Sequence, residues 1–145
     1  MFESMVVATA VNPTLPGSMR EYAVVALAYA VDAERRLVII SGEYAGAPEW
    51  LTLVGNVLRD PDVKAGFSFL RDLRGAVGTP NATMVVSVLQ VVRRFWPTLT
   101  PIKGAIVTDA QTDSAARITE ALSSGHDLPI QVFTSYEAAL EWSTR

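Results

Sequence analysis

Gly66-Phe-Ser-Phe-Leu-Arg-Asp-Leu-Arg-Gly-Ala-Val-Gly-Thr-Pro-Asn-Ala-Thr-Met-Val-Val-Ser-Val-Leu-Gln-Val-Val-Arg-Arg-Phe-Trp96 decides the fold. It reads as a buried strand over Gly66–Leu70, a polar loop carrying Asp72 and Arg74, and a long helix that is apolar almost all the way round. That order builds half of a parallel α/β unit. It also sets the loop at the C-terminal end of a strand, where such sheets tend to place their sites.

The helix is expected to start at Thr79-Pro80, with Thr79 as N-cap and proline at the first helical position, and to stop at Trp96 before Pro97. Thr83, Ser87, Gln90 and Arg94 recur at spacings of 4, 3 and 4 and make one narrow polar stripe. Met84, Val85, Val86, Val88, Leu89, Val91, Val92, Phe95 and Trp96 fill most of the rest. Contact with a single core surface needs an apolar stripe of only about 100°. The surplus must therefore face neighbouring helices, a partner, a ligand or lipid.

Reading outward, Ala23–Val31 and Leu37–Ser41 are strands joined by the turn Asp32-Ala33-Glu34-Arg35, which makes them an antiparallel hairpin. Ala47-Pro48-Glu49 opens an amphipathic helix that Asp60-Pro61 ends. Lys103–Thr108 is the fourth strand. Asp113 opens a helix closed by Gly125, Ile130–Phe133 is the fifth strand, and Thr134-Ser135-Tyr136-Glu137 is a capping box for a last helix through Trp142. The order predicts an α/β fold: a mixed, mostly parallel five-stranded sheet with an N-terminal hairpin and four helices. Residues 1–21, with Pro13, Pro16 and Gly17, read as a mobile or loosely docked arm, and the domain as 22–145.

Composition narrows the function. The chain has 145 residues, is 50% hydrophobic and 19% charged, and carries a net charge of −3. It can bury a core, and it lacks the basic balance of a general nucleic-acid binder. The absence of cysteine excludes disulfides, thiolate metal sites and cysteine nucleophiles. No apolar run approaches the roughly 18–20 residues of a membrane span. The start, Met1-Phe-Glu-Ser-Met, has no positive n-region and carries Glu3, unlike a signal peptide; the expected location is the cytoplasm.

Three segments resemble a known family: Tyr29–Tyr44 (YAVDAERRLVIISGEY), Val57–Gly75 (VLRDPDVKAGFSFLRDLRG) and Ile130–Trp142 (IQVFTSYEAALEW). They look like the SpoIIAA-like branch of the STAS superfamily, the sulfate transporter and anti-sigma antagonist domains. The resemblance runs from about Tyr22 to Trp142. It implies a small sheet with helices mainly on one face. It also implies a likeness to lipid-carrier domains of the CRAL-TRIO type. Sigma-regulatory members carry a phosphorylatable Asp-Ser turn after the third strand. Here that place reads Asp72-Leu-Arg-Gly-Ala-Val-Gly-Thr79, so the Asp-Ser pair is absent and Thr79 is the nearest hydroxyl.

Candidate chemistry is sparse. Asp72 and Arg74 sit after a strand and, with Glu43, Asp109 and Thr134, outline a polar crevice or an ion pair that fixes the turn. Thr79 serves as a cap or as a phosphosite, since phosphate is favoured at a helix N-terminus. Arg93 and Arg94 beside Phe95 and Trp96 have the composition of a membrane-interface anchor. His126, the only histidine, adjoins Asp127 in a loop, but adjacency in one turn is not the convergence a catalytic triad needs. Gly75 and Gly78 lack the rest of a phosphate loop. Catalytic residues, metal and cofactor are therefore expected to be absent. The expected function is a non-enzymatic regulatory or ligand-binding module. Its surface comprises Asp72, Arg74, Thr79, Met84, Val88, Val92, Arg94, Phe95 and Trp96. It would take an apolar small molecule or lipid, or touch a membrane surface peripherally. The alternative is a partner-switching module that binds a protein partner through the 72–79 loop. A homodimer is a further way to cover the apolar surplus.

Overall fold

Leu37-Val38-Ile39-Ile40 is aliphatic and mostly β-branched, which favours a strand buried on both faces, and it lies inside the sheet. The computed structural model describes residues 2–7, 27–78, 80–99, 103–124 and 129–145. Their order is β1 (Phe2–Val7), β2 (Leu27–Asp32), β3 (Leu37–Gly42), α1 (Ala47–Arg59), β4 (Ser68–Asp72), α2 (Ala82–Leu99), β5 (Gly104–Val107), α3 (Asp113–Ser124), β6 (Ile130–Phe133) and α4 (Tyr136–Thr144). The strands lie side by side in chain order. β1, β2 and β3 pair antiparallel, and β3 through β6 pair parallel. This is the expected α/β class, with a mixed sheet and four helices.

The five expected strands gain a sixth. Phe2–Val7 was expected within a loose arm, but it pairs with the outer edge of β2, Phe2 opposite Asp32 and Val7 opposite Leu27. An edge strand presents a row of free backbone groups, and Phe2, Met5, Val6 and Val7 supply residues that suit a strand. The expected linker around Pro13–Gly17 and the domain start at Tyr22 lie outside the described residues.

Side chains alternate across the sheet, and the two faces are covered differently. Tyr29, Val31, Val38 and Ile40 pack with Leu53, Val54 and Val57 of α1 and Val91 of α2. Further along the same face, Ile106 and Val132 meet Ala116 of α3. Leu37, Leu70, Ala105 and Val107 point the other way, onto Ala139 of α4. Three helices thus share one face and α4 covers the other. Tyr29 ties β2 to the end of α1: its hydroxyl donates to Asp60 Oδ2 at 3.0 Å, and burial together with that bond pushes its pKa up to about 12. At the far edge, Glu120 of α3 accepts from the Val132 N–H at 2.7 Å, which occupies a backbone donor of β6.

Several boundaries differ from expectation, each for a local reason. A turn in which Phe67 N–H reaches Lys64 O, with Gly66 at φ +90°, delays β4 to Ser68 and carries it through Arg71 and Asp72. The long helix starts at Ala82, capped by Asn81, whose Oδ1 accepts from Met84 N–H at 2.8 Å. The expected start at Thr79-Pro80 thus moves to Asn81-Ala82. α2 also runs past Pro97 to Leu99; a proline in the last turns removes only one intrahelical bond. Ser135 alone caps α4, accepting from Ala138 N–H, in place of the expected box.

Neighbouring leucines on α1 test this packing. Leu53 is fully buried, whereas Leu51 is 41% exposed. Leu53→Ala is expected to cost about 2–5 kcal/mol and Leu51→Ala under about 1 kcal/mol, read from urea unfolding midpoints. Equal costs would mean that α1 presents another face to the sheet.

Candidate functional site

Three strand ends meet at one edge of the sheet, and each delivers a carboxylate. Asp72 closes β4, Asp109 follows β5, and Glu43 follows β3. Asp72 binds Arg74 through both oxygens at 2.9 Å and accepts from the Arg74 backbone N–H at 3.1 Å. Asp109 accepts from Gly75 N–H at 2.8 Å and also binds Gln111 and Thr112. Glu43 accepts from Val77 N–H at 2.7 Å. The loop after β4 is tied down residue by residue. Gly75 at φ +84° and Gly78 at φ +100° supply left-handed turns that side chains rarely adopt. Arg74 also lies over the Tyr136 ring, 4.8 Å from its centroid.

The charges reflect these bonds. Burial of Asp72 opposes its ionisation, but the hydrogen bonds and charge of Arg74 outweigh burial and hold the carboxyl below its usual range. The Gly75 N–H, followed by the Thr112 hydroxyl, does the same for Asp109. Glu43, Asp72 and Asp109 therefore act as loop fasteners, and Asp72 with Arg74 is the ion pair that fixes the turn. Thr134 is exposed at the same edge. Thr79 and His126 lie outside the described residues.

Beneath α2 the sheet face is not filled. A cavity of about 130 Å³ lies between the helix and strands β3 to β6. Met84, Val88 and Val92 form part of its roof, with Val85 and Leu89 beside them. Its floor includes Ile40, Phe69 and Ile106, with Gly104 adding no side chain. α1 contributes Trp50, and the connection before it contributes Tyr44. The close backbone neighbours of α2 are α1 and α3, so the apolar surplus of the helix is divided between flanking helices and the cavity. The expected polar stripe turns outward: Thr83, Gln90 and Arg94 are exposed.

Of the expected surface, the structure brings Met84, Val88 and Val92 together. Arg94 lies outside the cavity over the Phe95 ring at 5.5 Å, and Phe95 packs into the core beside α1. Asp72 and Arg74 stand at the loop rather than on the cavity wall. The Trp96 side chain lies outside the described residues.

Two polar groups that sequence reading missed sit on the wall. Arg71 is only 9% exposed, in a row between Ile40 and Ile106 of the neighbouring strands. It donates to the backbone carbonyls of Asp72 (3.2 Å), Gly42 (3.2 Å) and Glu43 (2.9 Å), and lies 5.9 Å from the Trp50 ring centroid. Burial lowers its pKa to about 10, which leaves it cationic at neutral pH. Beside it, the buried Tyr44 hydroxyl has no hydrogen-bond partner among the described residues. The available signal was alternation: once the strand extends to Asp72, Phe69 and Arg71 fall on one face. Among the described residues no helix is long and apolar enough to cross a membrane.

No family model, curated protein or solved structure matches this chain.

The fasteners predict an acid response. A carboxyl held below its unfolded value, about 3.9 for aspartate, contributes stability that is present above that value and lost as pH falls through the native one. Wild-type urea midpoints are expected to drop as pH is lowered below about 4. Asp109→Asn should lower the midpoint near neutrality and flatten this acid limb, with faster amide exchange at Gly75. An unchanged limb would remove Asp109 from the role.

Proposed function

We propose that the chain is a cytoplasmic, non-enzymatic regulatory or ligand-binding module of the SpoIIAA-like, STAS type, and that it takes an apolar small molecule between α2 and the sheet. One observation carries the reading: a cavity of about 130 Å³ with a largely apolar wall, under a helix braced mainly by other helices. Cavities of about 150 Å³ lined by aliphatic and aromatic side chains stay dry and admit benzene. The size favours a compact ligand, a ring or a short branched chain, over a long-chain lipid. The three carboxylates nearby are committed to the loop, which agrees with binding rather than acid–base catalysis. Regulation follows if the ligand binds one setting of α2 more tightly than another.

A second reading rests on Val77, which is 75% exposed at the loop tip between two glycines. An apolar side chain on a fastened loop suits contact with a protein partner, as a partner-switching module requires.

Met84 gives the test a direct probe: the chain has four methionines, and among the described residues Met84 is the one on the cavity wall. Toluene is expected to shift the Met84 methyl resonance and raise the melting temperature. Val88→Phe, which fills the space, should abolish both effects while leaving the circular dichroism unchanged. Native mass spectrometry of chain purified from cells should show a small apolar adduct on the monomer. An unliganded dimer, with no response to toluene, would move the interface reading ahead.

A further inference from the structure

The cavity has one charged end. Arg71 has five N–H donors, and three of them meet backbone carbonyls. Its Nε–H and one Nη1–H have no partner among the described residues. No carboxylate pairs with it there either: the ion pairs are Asp32–Arg35, Asp72–Arg74 and those of Arg117 with Asp113 and Glu120. The charges of Asp72 and Glu43 reach Arg71, but their oxygens point to Arg74 and Val77. A buried cation with carbonyl support and no directly paired carboxylate is an expensive arrangement. So is the Tyr44 hydroxyl, which is buried without a partner. Both groups line the same apolar space, and the Arg71 charge acts on the Tyr44 oxygen.

We infer that the ligand of this cavity is a compact carboxylic acid, its carboxylate held by Arg71 and Tyr44 and its apolar body lying under α2 between Met84, Val88 and Phe69. Arginine donors and a tyrosine hydroxyl are charge-assisted partners for a carboxylate. The Trp50 ring lines the same space beside the guanidinium. The volume admits about a six-carbon ring or chain. The inference rests on the apolar-ligand reading and adds the head group to it.

Titration calorimetry of the full chain with benzoate, hexanoate, their primary amides and toluene separates the two. Each acid is expected to bind at least about tenfold more tightly than its amide. Arg71→Gln should erase that preference while toluene binding persists. Tyr44→Phe, which keeps the ring and removes only the hydroxyl, should weaken the acids severalfold and leave toluene unchanged; it serves also if Arg71→Gln does not fold. Acids and amides binding alike would overturn the carboxylate inference and leave the apolar pocket standing. The same holds if toluene alone binds. Binding by none of the five would overturn both.

Discussion

A guanidinium in the middle of an apolar sheet face must be hydrogen-bonded or the face cannot close. Arg71 meets that demand with carbonyls and not with an acid. The carbonyls of Gly42 and Glu43 have to come to it, and this fixes how the chain leaves β3 before turning into α1. That connection carries Tyr44 and Ala45 onto the cavity wall, and α1 follows with Trp50. Each bond from a charged donor contributes about 1.5–3 kcal/mol. Three of them are of the same order as the several kcal/mol needed to desolvate the ion. The position of one side chain thus governs the path of the segment that builds one end of the site.

The loop beyond β4 obeys a second constraint, set by negative charge. Glu43, Asp72 and Asp109 come from three consecutive strand ends, where parallel strands bring their C-terminal residues to one edge. Left free, three carboxylates there would repel one another. Each is instead given backbone N–H donors from the loop or its own turn. The result is a stiff rim with α2 leading away from it, and α2 is braced by α1 and α3 while the cavity separates part of it from the strands. Opening the site in the proposed module therefore falls to the helix. Its displacement disturbs side-chain contacts, whereas displacing the loop would strip three partly exposed acids of their donors.

Much of this architecture was legible in sequence because the signals were local. Periodicity placed the first two helices and cap or stop residues the last two, while the runs at Leu37–Ile40 and Ile130–Phe133 placed one inner strand and the far edge strand. Phe2–Val7 was hidden because an edge strand is stabilised by its partner more than by its own pattern, and its neighbour β2 lies far along the chain. The polar stripe of α2 correctly predicted its outward face. What lay beneath the helix was not readable, since a cavity is a property of the space between elements. Asp72 and Arg74 drew attention as charges in a loop, yet they satisfy each other. Arg71, one residue away, is not legible as a wall residue from a strand that ends at Leu70. One residue of boundary decides whether this arginine points to solvent or into the core.

An unfilled cavity is a measurable cost. At about 24 cal/mol per Å³ for an enclosed void, 130 Å³ sets an upper bound of about 3 kcal/mol for this partly open space, against the 5–15 kcal/mol that typically holds a domain together. The same space also holds the Arg71 guanidinium, with donors that meet no partner among the described residues, and the unpartnered Tyr44 hydroxyl. The three features line one space, so loose packing alone does not account for them together. A single occupant with an apolar body and an anionic head relieves all three together, which is the strongest physical ground for reading this cavity as a binding site.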